Sequence, residues 1–201
     1  MKLICIPAYN EEANIGKLIK DCKKFGTLPF AGIARCAFVS TKIIKTLQKK
    51  NIITENQNKI FFNSLSSITK EIDRDFQNFL YKKNTKKKFI EKYGHLRPQT
   101  YSIKSENYRT GFKKYFKSSS NKSESKKIKK ENFRLTSKQN IQLKKLFLSH
   151  GLKIKNKVFF EFAKRSIELR EWSKFIFTKS INEIFENLKN LSNEIKVPIN
   201  E

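Results

Sequence analysis

Apolar residues recur along most of this chain at helical spacing. Ile33, Ala37, Phe38, Ile44 and Leu47 mark one face of a helix over Phe30–Lys50. Thr54 is placed to cap a second helix reaching about Lys82. Its stripe is Phe61, Leu65, Ile68, Ile72, Phe76, Phe79 and Leu80, and no polar residue breaks into it, so it reads as core packing. Shorter helices are expected over Lys86–Tyr93 and near Tyr108–Phe116. Thr136 with Gln139 forms a capping-box pattern for a helix to His150, which Gly151 ends. Val158–Leu191 is helical with at most one break. The N-terminus differs. Lys2–Ile6 reads as a short buried strand, Pro7–Glu12 as a polar turn, and the residues to about Phe25 as a helix carrying Ile15, Leu18, Ile19 and Cys22 on one face. Strand, turn and helix together are the first unit of an α/β layer.

Two stretches lack any period. Lys92–Ile103 crowds together His95, Arg97, Gly94 and Pro98. Gly94 suits the end of the preceding helix, and Pro98 holds Arg97 extended. Residues 117–131 are almost wholly Ser, Lys, Asn and Glu and read as a flexible linker, with too little apolar surface to order themselves. The fold class expected is therefore mainly α: a helical domain with a short N-terminal strand–helix unit and an irregular central segment. The segments expected are 1–25, 26–116, the linker 117–131, and 132–201.

Composition narrows the chemistry. The 201 residues carry 44 Lys+Arg against 18 Asp+Glu, a formal net charge of +26 and a pI near 10.0. Such a balance raises nucleic acid or an anionic surface as a partner. Only seven of the basic residues are arginine, the residue favoured for base readout and bidentate phosphate contacts. The lysine is spread along the chain beside abundant Asn, Ile and Phe, as an AT-rich coding sequence produces, so no specific nucleic acid is expected. Cys5, Cys22 and Cys36 show no metal spacing and read as reduced, partly buried cysteines of a cytoplasmic protein. No run reaches the ~20 apolar residues of a membrane span. Leu3–Ile6 is too short for the core of a signal peptide.

Three motifs carry a resemblance. Ile-Pro-Ala-Tyr-Asn-Glu-Glu-x-x-Ile at residues 6–15 resembles the opening of family 2 glycosyltransferases. That resemblance implies Pro7, Tyr9, Asn10 and Glu11 as residues on the nucleotide-sugar side. The second strand ending in Asp-Asp-Gly-Ser and the metal-holding Asp-x-Asp that should follow do not occur. From about Phe25 the chain instead resembles the central helical region of phosphoenolpyruvate synthase and pyruvate phosphate dikinase-like proteins, relatives of the rifampicin phosphotransferases. Tyr-Gly-His-Leu-Arg-Pro-Gln-Thr-Tyr at 93–101, with Ser-Glu-Asn-Tyr at 105–108, carries it, departing at Gln99 and Ser102. Ser-Ile-Glu-Leu-Arg-Glu at 166–171 carries it again. The two resemblances meet at Lys23-Lys24-Phe25, which fits both and reads as a junction.

The dikinase-like resemblance implies a charge cluster of His95, Arg97, Tyr101, Glu168, Arg170, Glu171 and Lys174, either binding an acceptor or holding the fold. Arg97 is expected to face inward with Glu168 or Glu171 as its partner, since a buried guanidinium needs a carboxylate. The catalytic parts of that family lie on an ATP-grasp domain and a phosphohistidine domain, and neither His95 nor His150 has the phosphohistidine context. The expected function is thus a linking or acceptor-binding region of a phosphotransferase, not catalytic alone, with no cofactor and no metal. Its partners would be ATP-grasp and phosphohistidine domains encoded separately. Two other readings stay open: a truncated family 2-like glycosyltransferase, and a basic helical nucleic-acid-binding protein.

Overall fold

The computed structural model describes residues 11–81, 85–116 and 132–198, with only the backbone of 11–13. Among these the chain is mainly α and contains no strand. Its elements are α1 (Glu11–Asp21), a π-helical stretch (Cys22–Thr27), α2 (Leu28–Lys49), α3 (Glu55–Asn63), α4 (Ile68–Leu80), α5 (Lys86–Tyr93), α6 (Phe112–Phe116), α7 (Ser137–Ser149) and α8 (Asn156–Glu194). The expected strand Lys2–Ile6, the residues Pro7, Tyr9 and Asn10, and the linker 117–131 lie outside the described residues, as does the side chain of Glu11. The irregular central segment is present between α5 and α6.

Two helices differ from the expectation. Helix does not stop near Phe25. It continues through Gly26 and Pro29 because the backbone switches register, the Leu28 N–H reaching back five residues to Lys23 O. The continuous helix Asn14–Lys49 is long and apolar enough to cross a membrane by length and composition, where no such segment was expected. The expected Thr54–Lys82 helix is two helices. Ser64 Oγ donates to Phe61 O at 2.7 Å, ending α3, and Ser67 Oγ accepts from Lys70 N at 3.1 Å, starting α4. Lys70 Nζ donates to the carbonyls of Asn63 and Leu65 in the gap, at 2.9 and 3.0 Å. Serines compete for backbone groups and favour such ends. As the expectation allowed, α8 runs its 39 residues without a break.

The chain divides into two compact units, each discontinuous in sequence. The expected helical segments 26–116 and 132–201 each contribute to both.

One unit comprises Phe30–Asp73 and Lys122–Ser173. Ile44 and Leu47 of α2, Phe61 of α3, Leu143 and Phe147 of α7, and Phe159, Phe160 and Ala163 of α8 form its buried core. Phe61, Phe133 and Phe160 stack edge to face or tilted, with ring centroids 4.6–5.7 Å apart. The expected capping box of Thr136 with Gln139 is present, and the cap expected at Thr54 proves to be a second box, with Gln57. They also meet: Gln57 Nε2 donates to Gln139 Oε1 at 2.9 Å, and Gln139 Nε2 donates back to Gln57 Oε1 at 2.8 Å. His150 ends α7 with Nδ1 2.9 Å from Leu146 O, and Gly151 follows at φ +75°. Cys36 is exposed rather than partly buried.

The other unit comprises Met1–Pro29, Arg74–Asn121 and Lys174–Glu201. Its core is aromatic. Phe89 is 5.0 Å from Tyr93, 5.5 Å from Phe116 and 5.8 Å from Phe76, and Tyr93 packs 5.9 Å from Phe175 of α8. This unit holds the central segment.

Candidate functional site

The chain leaves α5 at Gly94 in ordinary right-handed conformation, φ −59° and ψ −24°. The glycine is needed for space. A Cβ there would lie 2.3 Å from Ile90 O. Leu96 and Tyr108 then tie the segment across its own loop, Tyr108 N donating to Leu96 O at 2.7 Å and Arg109 N to Gly94 O at 3.1 Å.

Arg97 faces inward as expected, its side chain 2% exposed. One guanidinium nitrogen donates to Ser105 O at 3.1 Å and Ser102 O at 3.4 Å. The other donates to Asn182 Oδ1 and, at 3.3 Å, to Glu186 Oε1, both on α8. The Phe185 ring lies under it at 5.0 Å. Buried Asn107 repeats the same contacts from the other side. Its Nδ2 donates to Asn182 Oδ1 at 3.0 Å and Glu186 Oε1 at 3.3 Å, while its Oδ1 accepts from the backbone of Arg109 and Thr110, each at 3.0 Å. Asn182 and Glu186, one helical turn apart, are thus shared by an arginine and an amide. Burial pulls the Arg97 guanidinium below its ordinary value and Glu186 opposes the change.

The carboxylate facing Arg97 is therefore Glu186, not Glu168 or Glu171. Glu168 Oε1 accepts from Ser66 N at 2.7 Å and lies 4.0 Å from Lys164. Glu171 keeps one oxygen buried without a hydrogen-bond partner. Arg170 sits over the Phe38 ring at 5.2 Å. Tyr101 is 63% exposed with Lys174 Nζ 5.8 Å from its ring, so this pair lies on the surface. Of the expected cluster, Glu168, Arg170 and Glu171 belong to one unit and His95, Arg97, Tyr101 and Lys174 to the other.

His95 is part of the clasp. Its Nε2 is 3.0 Å from Phe175 O, a carbonyl, so that nitrogen carries the proton. The Thr178 hydroxyl donates to the same oxygen. Burial drives the imidazole down to about 4, the Phe175 hydrogen bond resisting and the charges of Lys179 and Arg109 adding to the fall. It is neutral near pH 7. Beside it, Tyr93 Oη donates to Asp75 Oδ2 at 2.7 Å, and Lys92 Nζ reaches the same oxygen at 2.9 Å. Burial pushes the Tyr93 phenol up to about 12. Burial also pushes the Asp75 carboxyl up, but the hydrogen bonds from Lys92 and Tyr93 and the charges of Lys92 and Arg74 outweigh it and leave it below the usual range.

Sequence reading assigned no role to Asn107, Asn182, Glu186 or Asp75. Asn182 and Glu186 carried one signal, a polar i,i+4 pair next to the apolar Ile184 and Phe185. Among the described residues no group of three His, Cys, Asp or Glu could hold a metal ion. Both terminal nitrogens of Arg97, the Asn107 amide, His95 Nε2 and the Tyr93 hydroxyl end on protein acceptors, an arrangement suited to fixing the central loop on α8. No family model, curated protein or solved structure matches the chain.

Proposed function

We propose that this chain is a helical linking region of a phosphoenolpyruvate synthase/dikinase-like phosphotransferase, working by position and docking and not catalytic alone. The observation that carries the reading is the burial of Arg97, with both terminal nitrogens on protein acceptors. A guanidinium kept for a phosphate or carboxylate acceptor would hold donors toward solvent. Here the side chain is 2% exposed, and its donors go to two loop carbonyls and to Asn182 and Glu186. This supports the linking role over acceptor binding. The partners on this reading are ATP-grasp and phosphohistidine domains encoded separately, in the cytoplasm. The family motif residues Gly94, His95 and Arg97 then serve to build the loop, and Tyr101 and Lys174 are its exposed edge.

The test is reconstitution. ATP-grasp and phosphohistidine domains from the neighbouring reading frames are mixed with the chain, and labelled phosphate is followed from ATP to histidine. The chain should co-purify with them and speed the transfer, and no label should enter the chain itself. Failure to associate with either domain would refute the reading. The charge of +26 favours one alternative, a nucleic-acid binder. Counterion release predicts weak, sequence-blind binding that disappears near physiological salt; sequence preference surviving that salt would favour this alternative.

A further inference from the structure

We infer that the solvent face of α8 is a docking seam for an acidic amphipathic helix of a partner protein. Val158, Phe162, Leu169 and Trp172 are 47–53% exposed. With exposed Arg165 between them they follow one another at intervals of four, three, four and three. That alternation is the seam of a two-helix coiled coil. Single exposed apolar residues are ordinary, but a line of large ones, including the only tryptophan, on one helix face marks an interaction surface. The same turns of α8 bury Phe159, Phe160 and Ala163 in the core of their unit. The helix is thus held by one face and presents another.

The occupant follows from width and charge. A helix lying in a membrane surface buries a broad apolar face with its charges opposite. This seam is narrow and has Arg165 at its middle. A second copy of the chain would bring another +26 and its own Arg165 to the same line. Of the acidic residues near the seam, Glu161 lies 3.9 Å from Lys157, Glu168 accepts from Ser66 N and lies 4.0 Å from Lys164, and Glu171 turns one oxygen inward, where it is buried. What remains on the apolar line is the positive charge of exposed Arg165. A helix with its own apolar seam and flanking Asp or Glu complements both features. The inference rests on α8 alone and stands whether or not the phosphotransferase reading holds.

Trp172 supplies the test. The full chain is titrated with a three-heptad peptide carrying leucine at its seam positions and glutamate on the flanks, then with the same peptide carrying lysine. Tryptophan emission is recorded. The acidic peptide should shift the emission to the blue and bind roughly tenfold more tightly than the basic one. Leu169→Glu, on an exposed position and checked for retained helicity, should abolish the shift, and Arg165→Glu should invert the peptide preference. The inference is overturned if neither peptide moves the emission, if both bind equally, or if Leu169→Glu still binds. It is also overturned if phosphatidylglycerol vesicles shift the emission where the acidic peptide does not, or if sedimentation shows a dimer that Leu169→Glu dissolves.

Discussion

Replacing Arg97 by alanine isolates what the clasp contributes. The side chain is 2% exposed and reaches four oxygens: Ser102 O, Ser105 O, Asn182 Oδ1 and Glu186 Oε1. In Arg97→Ala the two loop carbonyls lose these donors, and a buried acceptor left unmade costs about 1–3 kcal/mol. Glu186 suffers less. It is 38% exposed, keeps Lys189 at 3.4 Å and still accepts from Asn107. The loss expected is about 3–5 kcal/mol, mostly from orphaned acceptors and the space left against Phe185. By the same reasoning Glu186→Gln should cost only about 0.5–1 kcal/mol, because a partly solvated ion pair contributes little. Arg97→Lys should recover little, since one ammonium cannot span both carbonyls and Asn182. Urea unfolding followed by far-ultraviolet circular dichroism measures all three. The reasoning is refuted if Arg97→Ala loses less than about 1 kcal/mol, or if Glu186→Gln costs as much as Arg97→Ala.

Three further outcomes are expected. His95 titrates near 6.5 when unfolded and near 4 when folded, so the unfolded chain binds the extra proton between those values. Stability should fall as pH drops from 6.5 toward 4, by at most about 1.4 kcal/mol per pH unit, and His95→Gln should flatten that slope in unfolding curves taken across the window. Tyr93 behaves in the alkaline direction: its phenol titrates near 10 unfolded and near 12 folded, so stability should fall as pH rises between them, and Tyr93→Phe should remove that loss. Gly94→Ala places a methyl 2.3 Å from Ile90 O and should lower stability by roughly 1–3 kcal/mol in urea unfolding, although the glycine's φ is ordinary.

How much of this could be read beforehand depended on whether the signal was local. Thr136 with Gln139 is complete within four residues and formed the expected capping box; Thr54 formed the expected cap, and Gln57, to which the sequence pattern had given no role, completes a second box there. The break between α3 and α4 was hidden because Leu65, Ile68 and Ile72 continue the helical period across it. The serines at 64 and 67 carried the opposing signal, and their hydroxyls decided the matter. The expectation that Arg97 faces inward matches its buried side chain. Its partner was misjudged because Glu168, Glu171 and Glu186 stand on one long helix, and nothing local to Arg97 says how far along that helix the loop sits. Asn107 escaped notice for the same reason: its worth lies in sharing Asn182 and Glu186 with an arginine ten residues earlier.

The facing glutamines 57 and 139 bind two distant positions into one evolutionary unit. A capping box usually prefers glutamate at this place, because the negative charge also suits the helix start. Here two helix starts face each other, and each side-chain nitrogen has a duty across the gap, Gln57 Nε2 also donating to Arg134 O at 2.8 Å. Glutamate at one position would strip the other of a donor. Glutamate at both would set two carboxylates within 3 Å and force them to share a proton. Descendants of this sequence are therefore free to explore acid at 57 or at 139 only while the amide persists at the other. The two sites should drift as a pair, 82 residues apart in the chain, with the doubly acidic combination missing.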